Sequence, residues 1–140
     1  MKKKLIELLN EILKQEKIYM KKALDEDISI RNIHLILCIN ELGKQNECIT
    51  ISDLSSYLGL TKQSVNNNIN KLINKGYIYK KLSSSKKNQY NIFLTYNGEF
   101  VVEEYNNFMD MIFEKLVKQN SSEEIEIIIS ALEDLNTYFG

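Results

Sequence analysis

The stretch ITISDLSSYLGLTKQSVNNNINKLINKGYIYKKL, residues 49–82, decides the fold. Gly59 and Gly76 divide it into a short apolar-patterned run, a longer one and a β-prone tail. Ser52 or Asp53 can cap a helix from Asp53 to Leu58, because a short polar side chain accepts a hydrogen bond from an orphan N–H of the first turn. Thr61 does the same for a helix over 62–75, which Gly76 stops. Val65, Ile69, Leu72 and Ile73 form one stripe of the second helix and meet Leu54, Leu58 and Leu60 of the first. The opposite face holds Gln63, Ser64, Asn67, Asn70, Lys71 and Asn74, with Lys62 and Asn66 toward the N-terminal end.

Working outward, Cys48–Ile51 is short and β-prone on one side. On the other, Tyr77–Leu82 and Tyr90–Thr95 suit two strands of a hairpin with a polar, Lys-rich tip. Leu5, Leu8, Leu9, Ile12, Leu13, Tyr19 and Met20 recur at helical spacing, which predicts a helix over 2–24. Asp25-Glu26-Asp27 then places acid ahead of a helix over about 28–42, where it suits the positive N-terminal end, and Gly43 supplies a stop. Two long helices, 97–119 and 122–138, close the chain; Ser121 and Glu124 form a capping box at the start of the last. The expected architecture is mainly α with a small β wing: a winged helix-turn-helix flanked by N- and C-terminal helices.

The formal net charge of −1 conceals a division. Residues 1–53 balance to 0, residues 54–98 carry seven Lys and no carboxylate, and residues 99–140 have a net charge of −8. A forty-five-residue segment at +7 attracts phosphate polyanions, and no acidic side chain within it repels them. The polar face of helix 62–75 supplies matching chemistry. Asn and Gln pair bidentately with adenine edges in the major groove, whereas Ser and Lys suit phosphates. The candidate DNA-binding residues are therefore Thr61, Lys62, Gln63, Ser64, Asn66, Asn67, Asn70 and Lys71, with Lys80, Lys81, Lys86 and Lys87 of the wing along the phosphates or minor groove.

Residues 49–98 resemble the multiple-antibiotic-resistance regulator (MarR) family: Ile49 through Val65, Lys71-Leu72-Ile73-Asn74-Lys75-Gly76-Tyr77-Ile78, and Leu94-Thr95-Tyr96-Asn97-Gly98. The order of helices and wing extends the likeness over nearly the whole chain. The resemblance implies a homodimeric winged-helix transcription regulator, usually a repressor, whose terminal helices interlock between two copies. On it, residues 1–140 form a single domain with a DNA-binding lobe at 28–98 and dimerisation helices at 1–27 and 99–140. Two copies would read a palindromic, AT-rich double-stranded operator, with recognition helices about 34 Å apart. Where the family wing commonly carries Asp-x-Arg, the aligned positions are Lys86 and Asn88; the sole Arg, Arg31, lies in the second helix, so Lys86 or Lys87 stands in. Asn68 occupies a position that is usually apolar in the family. Family effector pockets lie between the dimer helices and the DNA lobe, which makes Tyr19, His34, Cys38 and Met109 the candidate pocket for a small-molecule effector. Ile30-Arg31-Asn32-Ile33-His34 is similar to the second helix of the family's fatty-acid-synthesis repressors.

Other classes are disfavoured. No nucleophile–base pair or phosphate loop points to an enzyme, and no cofactor is expected. His34 with Cys38 is only half of a metal site, so no metal is expected either. Apolar runs are too short for a membrane span, and Glu7 and Glu11 interrupt any signal-peptide core. Two Cys without a CxxC pattern fit a reducing cytoplasm, and only His34 lies near enough in sequence to activate a thiol. The alternative to a DNA-binding regulator is a winged-helix protein–protein interaction module; the clustered Lys and the Asn-rich face favour DNA.

Overall fold

A computed structural model describes residues 1–24, 28–84 and 89–139. In chain order the elements are α1 (Lys2–Leu24), α2 (Ile30–Gln45), α3 (Ile51–Leu58), α4 (Lys62–Asn74), β1 (Ile78–Leu82), β2 (Tyr90–Leu94), α5 (Tyr96–Gln119) and α6 (Ser122–Phe139). They divide into two compact units, Met1–Tyr105 and Asn106–Gly140. Mainly helical with one antiparallel hairpin, the chain has the expected class and order of elements. Asp25–Asp27 and the wing-tip residues Lys86, Lys87 and Asn88 lie outside the described residues.

In the first unit the core forms where α1, α2, the helix-turn-helix and the hairpin converge. Met20, Ile33, Ile36, Ile39, Leu54, Val65, Ile69, Leu72, Ile78, Ile92 and Val101 are all fully buried. The α4 stripe of Val65, Ile69 and Leu72 thus faces the core as its spacing dictates, and Ile73 packs at its margin. Leu60 departs from expectation. It sits past the positive-φ Gly59 in the turn and remains exposed.

Helix boundaries follow local hydrogen bonding. Helix α3 begins at Ile51, two residues before the expected start at Asp53. Thr50 is the cap, and its hydroxyl accepts from Asp53 N while the Asp53 carboxylate accepts from Thr50 N. Helix α2 runs through Gly43 to Gln45, because Gly43 lacks the left-handed φ that ends helices. Asn46 closes it instead, donating from both its backbone and its side-chain nitrogen to Leu42 O. Cys48–Ile51 forms no strand, but Ile49 O accepts one backbone hydrogen bond from Ile92 N at 2.9 Å. Thr50 caps α3 and Ile51 is its first residue, so that end of the segment is taken up by a helix start.

The wing is anchored at its base. Gly76, with φ 84°, permits the turn in which Tyr77 N donates to Leu72 O and Gly76 N to Ile73 O. The Thr95 hydroxyl donates to Gly76 O at 2.6 Å and accepts from Gly98 N at 3.2 Å, while Thr95 N donates to Tyr77 O. Thr95 therefore joins the end of α4 to the start of α5. Gly98 is required there by space: a Cβ would collide with the Tyr77 carbonyl oxygen and crowd Leu94.

In the second unit, the capping box starts α6. Ser121 Oγ accepts from Glu124 N at 3.2 Å, and the Glu124 carboxylate accepts from Ser121 N at 3.1 Å. No residue of α6 is buried, and Ile127, Ile128, Ile129, Leu132 and Leu135 are exposed. Among the described residues no helix is long and apolar enough to cross a membrane.

Candidate nucleic-acid interface

The sequence determines which face of α4 is presented. Thr61 caps the helix, its hydroxyl accepting from Ser64 N at 3.1 Å, so this side chain is engaged in forming the site. With Val65, Ile69 and Leu72 turned inward, Gln63, Asn67, Asn70 and Asn74 fall on one exposed row at spacings of 4, 3 and 4. Lys62 and Lys71 are exposed beside it, and Ser64 and Asn66 are half-buried at its edge. The eight candidate residues from Thr61 to Lys71 thus lie together on α4 and its cap. No carboxylate lies in the segment 54–98.

The wing stands against α4 in the register Ile78↔Leu94, Lys80↔Ile92 and Leu82↔Tyr90. Strand alternation makes Lys80 and Lys81 unequal. Lys81 is exposed, whereas Lys80 is half-buried and donates from Nζ to Asn70 Oδ1 at 3.4 Å. Its ammonium also lies 5.7 Å from the centroid of the Tyr90 ring. On the other face Tyr79 and Phe93 stack at 5.3 Å. Lys86 and Lys87 fall outside the described residues, so the expected row of four wing lysines is represented here by Lys80 and Lys81.

Of the candidate effector residues, His34 and Cys38 share a cavity of about 320 Å³ with Leu37, Glu41, Tyr57 and Leu58. His34 also lines a mostly apolar cavity of about 300 Å³, where Arg31 and Asn68 join Leu35, Leu58, Leu60 and Val65. Tyr19 is half-buried against the core and lines neither cavity, and Met109 belongs to the second unit. Burial pushes the Cys38 thiol up to about 11. Among the described residues no group of three His, Cys, Asp or Glu side chains converges to hold a metal ion.

Glu16 is the feature that sequence reading missed. It is 8% exposed on α1 and receives the Tyr105 hydroxyl at 2.7 Å. His34 Nε2 lies 3.3 Å from both Glu16 oxygens. Burial, then the hydrogen bond and charge of Glu16, raise the Tyr105 phenol to about 12. This carboxylate ties α1, α2 and α5 together. Its signal was its place four residues from both Ile12 and Met20, where the α1 apolar stripe would otherwise continue.

Two helices joined by a tight turn, followed by an antiparallel wing packed on the second helix, define a winged helix-turn-helix protein. A family model described as "MarR family" matches residues 36–87, from the middle of α2 to the wing tip. FabT of Streptococcus pneumoniae, solved in complex with DNA, is 27% identical; the match covers 99% of this chain and 94% of that one, with a TM-score of 0.86. MepR of S. aureus, also solved with DNA, is 24% identical over 99% of both chains, with a TM-score of 0.72. RV1404 of Mycobacterium tuberculosis shares the fold at 16% identity, covering 99% of this chain and 91% of that one, with a TM-score of 0.78. No curated protein matches the chain. Residues 36–87 thus match the MarR family model, and the chain as a whole shares the winged helix-turn-helix fold of FabT, MepR and RV1404.

Proposed function

We propose that the protein is a homodimeric transcription regulator that binds double-stranded DNA sequence-specifically, acts as a repressor and is released by a small-molecule effector. The observation that carries this reading is the exposed, carboxylate-free polar row of α4, flanked by Lys62, Lys71 and the wing lysines. Gln63, Asn67 and Asn70 supply base-reading amides, while Lys62, Lys71, Lys81 and Ser64 supply phosphate contacts. Residues 28–98 serve as the DNA-binding lobe. The DNA complexes of FabT and MepR support the same use of the fold here.

Residues 1–27 and 99–140 supply the dimer surface. Leu5, Leu8, Leu9, Ile12 and Leu13 are exposed along α1, as are the apolar residues of α6. Leaving so much apolar helix surface in water is unfavourable at about 25 cal/mol per Å². Helix α1 carries a net charge of +4 and α6 of −5, so the helices of two copies attract rather than repel. The cavities beside His34 and Cys38 offer room for an effector, and the cytoplasm is the compartment where such a regulator meets its operator.

Binding to an AT-rich palindromic duplex at several salt concentrations tests the reading. Affinity should fall steeply with salt, and Lys71→Ala or Lys81→Ala should each reduce the logarithmic slope by about 0.9 per lost phosphate contact. Binding that is absent or indifferent to salt would overturn it.

A further inference from the structure

Lys80 and Lys81 are neighbours on β1 but occupy different faces. Ile78, at 2% exposure, lies on the α4-facing side, and alternation returns Lys80 to that side two residues later. The residue is half-buried, its ammonium lies near the Tyr90 ring, and its Nζ reaches Asn70 Oδ1 at 3.4 Å. A lysine ammonium has three donors and no acceptor, so the amide must turn its oxygen toward it and its NH₂ away. Among the described residues Asn67, one turn earlier on the same row, has no such tether.

We infer that Lys80 acts on base recognition through Asn70, holding the amide oxygen so that only the NH₂ group is offered to a base edge. This rests on the DNA-binding reading above. Adenine presents an acceptor at N7 and a donor at N6, and an asparagine needs both ends of its amide to match them. Guanine presents two acceptors, N7 and O6, and thymine presents O4. Asn70, with its oxygen engaged, therefore selects guanine or thymine, while untethered Asn67 selects adenine. Lys80 is a positioning residue and not a phosphate anchor.

Selection of bound duplexes from a randomised pool with the full chain tests this. The base position governed by Asn70 is the one whose preference collapses in Asn70→Ala. There the unaltered protein should prefer guanine or thymine over adenine, and Lys80→Met should shift the preference toward adenine by about fivefold or more, the lower end for a bidentate pair. Lys80→Arg, which keeps a donor-only cation, should retain the original preference. The salt dependence of Lys80→Met binding should match the unaltered protein. Adenine at that position before any substitution would overturn the inference. So would a Lys80→Met variant that loses about 0.9 of salt slope with base preference unchanged, the behaviour of a phosphate contact. If no duplex is enriched at all, the DNA-binding reading itself fails and this inference with it.

Discussion

Replacing Tyr105 by Phe removes one hydroxyl and leaves every apolar atom of the ring in place. That hydroxyl is the closest donor to Glu16, at 2.7 Å; the other partner, His34, is longer at 3.3 Å and sits on a side chain 47% exposed. A hydrogen bond to a charged group contributes about 1.5–3 kcal/mol, and removing one partner leaves a buried carboxylate under-solvated. Tyr105 is only half-buried, so water replaces part of the loss, which places the cost near 2 kcal/mol. Glu16→Leu should behave differently. It restores the apolar stripe between Ile12 and Met20 and removes the need for the donor, so Glu16→Leu with Tyr105→Phe should be more stable than Tyr105→Phe alone. The assay is urea denaturation at one fixed protein concentration, since assembly would otherwise shift the midpoint. Tyr105 also sets a pH window. Its phenol titrates near 10 when unfolded and near 12 when folded. Its stabilising contribution is therefore complete below pH 10 and disappears as pH rises to about 12, so the Phe variant should show a flatter decline there. A Tyr105→Phe cost below about 0.5 kcal/mol, or strict additivity with Glu16→Leu, would refute this account.

Gly98→Ala should destabilise by at least about 2 kcal/mol, because the new Cβ meets the Tyr77 carbonyl, whose backbone is fixed by Thr95; thermal unfolding of the variant measures it. The two thiols should also separate. Cys48 is exposed whereas the Cys38 thiol is raised to about 11 by burial, so iodoacetamide at pH 8 should label Cys48 well before Cys38, as read by peptide mass spectrometry.

Signals carried within a few residues were legible in the sequence. Thr61 and Gly76 delimit α4 as read, and Ser121 with Glu124 starts α6, because caps and helix stops are local hydrogen-bonding events. Where two local solutions compete, reading by residue type fails. Asp53 was visible as a capping residue, but it answers Thr50 rather than capping α3 itself. Gly43 looked like a stop until Asn46 was seen to close α2. Contacts between distant segments were least accessible: nothing near Glu16 announces a tyrosine 89 positions away. The polar row of α4 followed from periodicity alone, but the different settings of Lys80 and Lys81 needed the hairpin register and the position of α4 behind it.

The bareness of the terminal helices carries a thermodynamic consequence. Of the 23 residues of α1 only Glu16 and Met20 are buried, and of the 18 in α6 none is. An isolated helix of such length is marginal in water, since nucleation is costly and tertiary burial supplies most helical stability. On the dimeric reading, order in these helices is borrowed from the second copy, so the folded fraction becomes a function of protein concentration. Dilution would then loosen the dimer surface before the core around Leu54, Ile69 and Leu72 opens. A cell holding few copies would therefore hold a smaller share of them in binding-competent form, and occupancy of an operator would rise more steeply than in proportion to the amount of protein made.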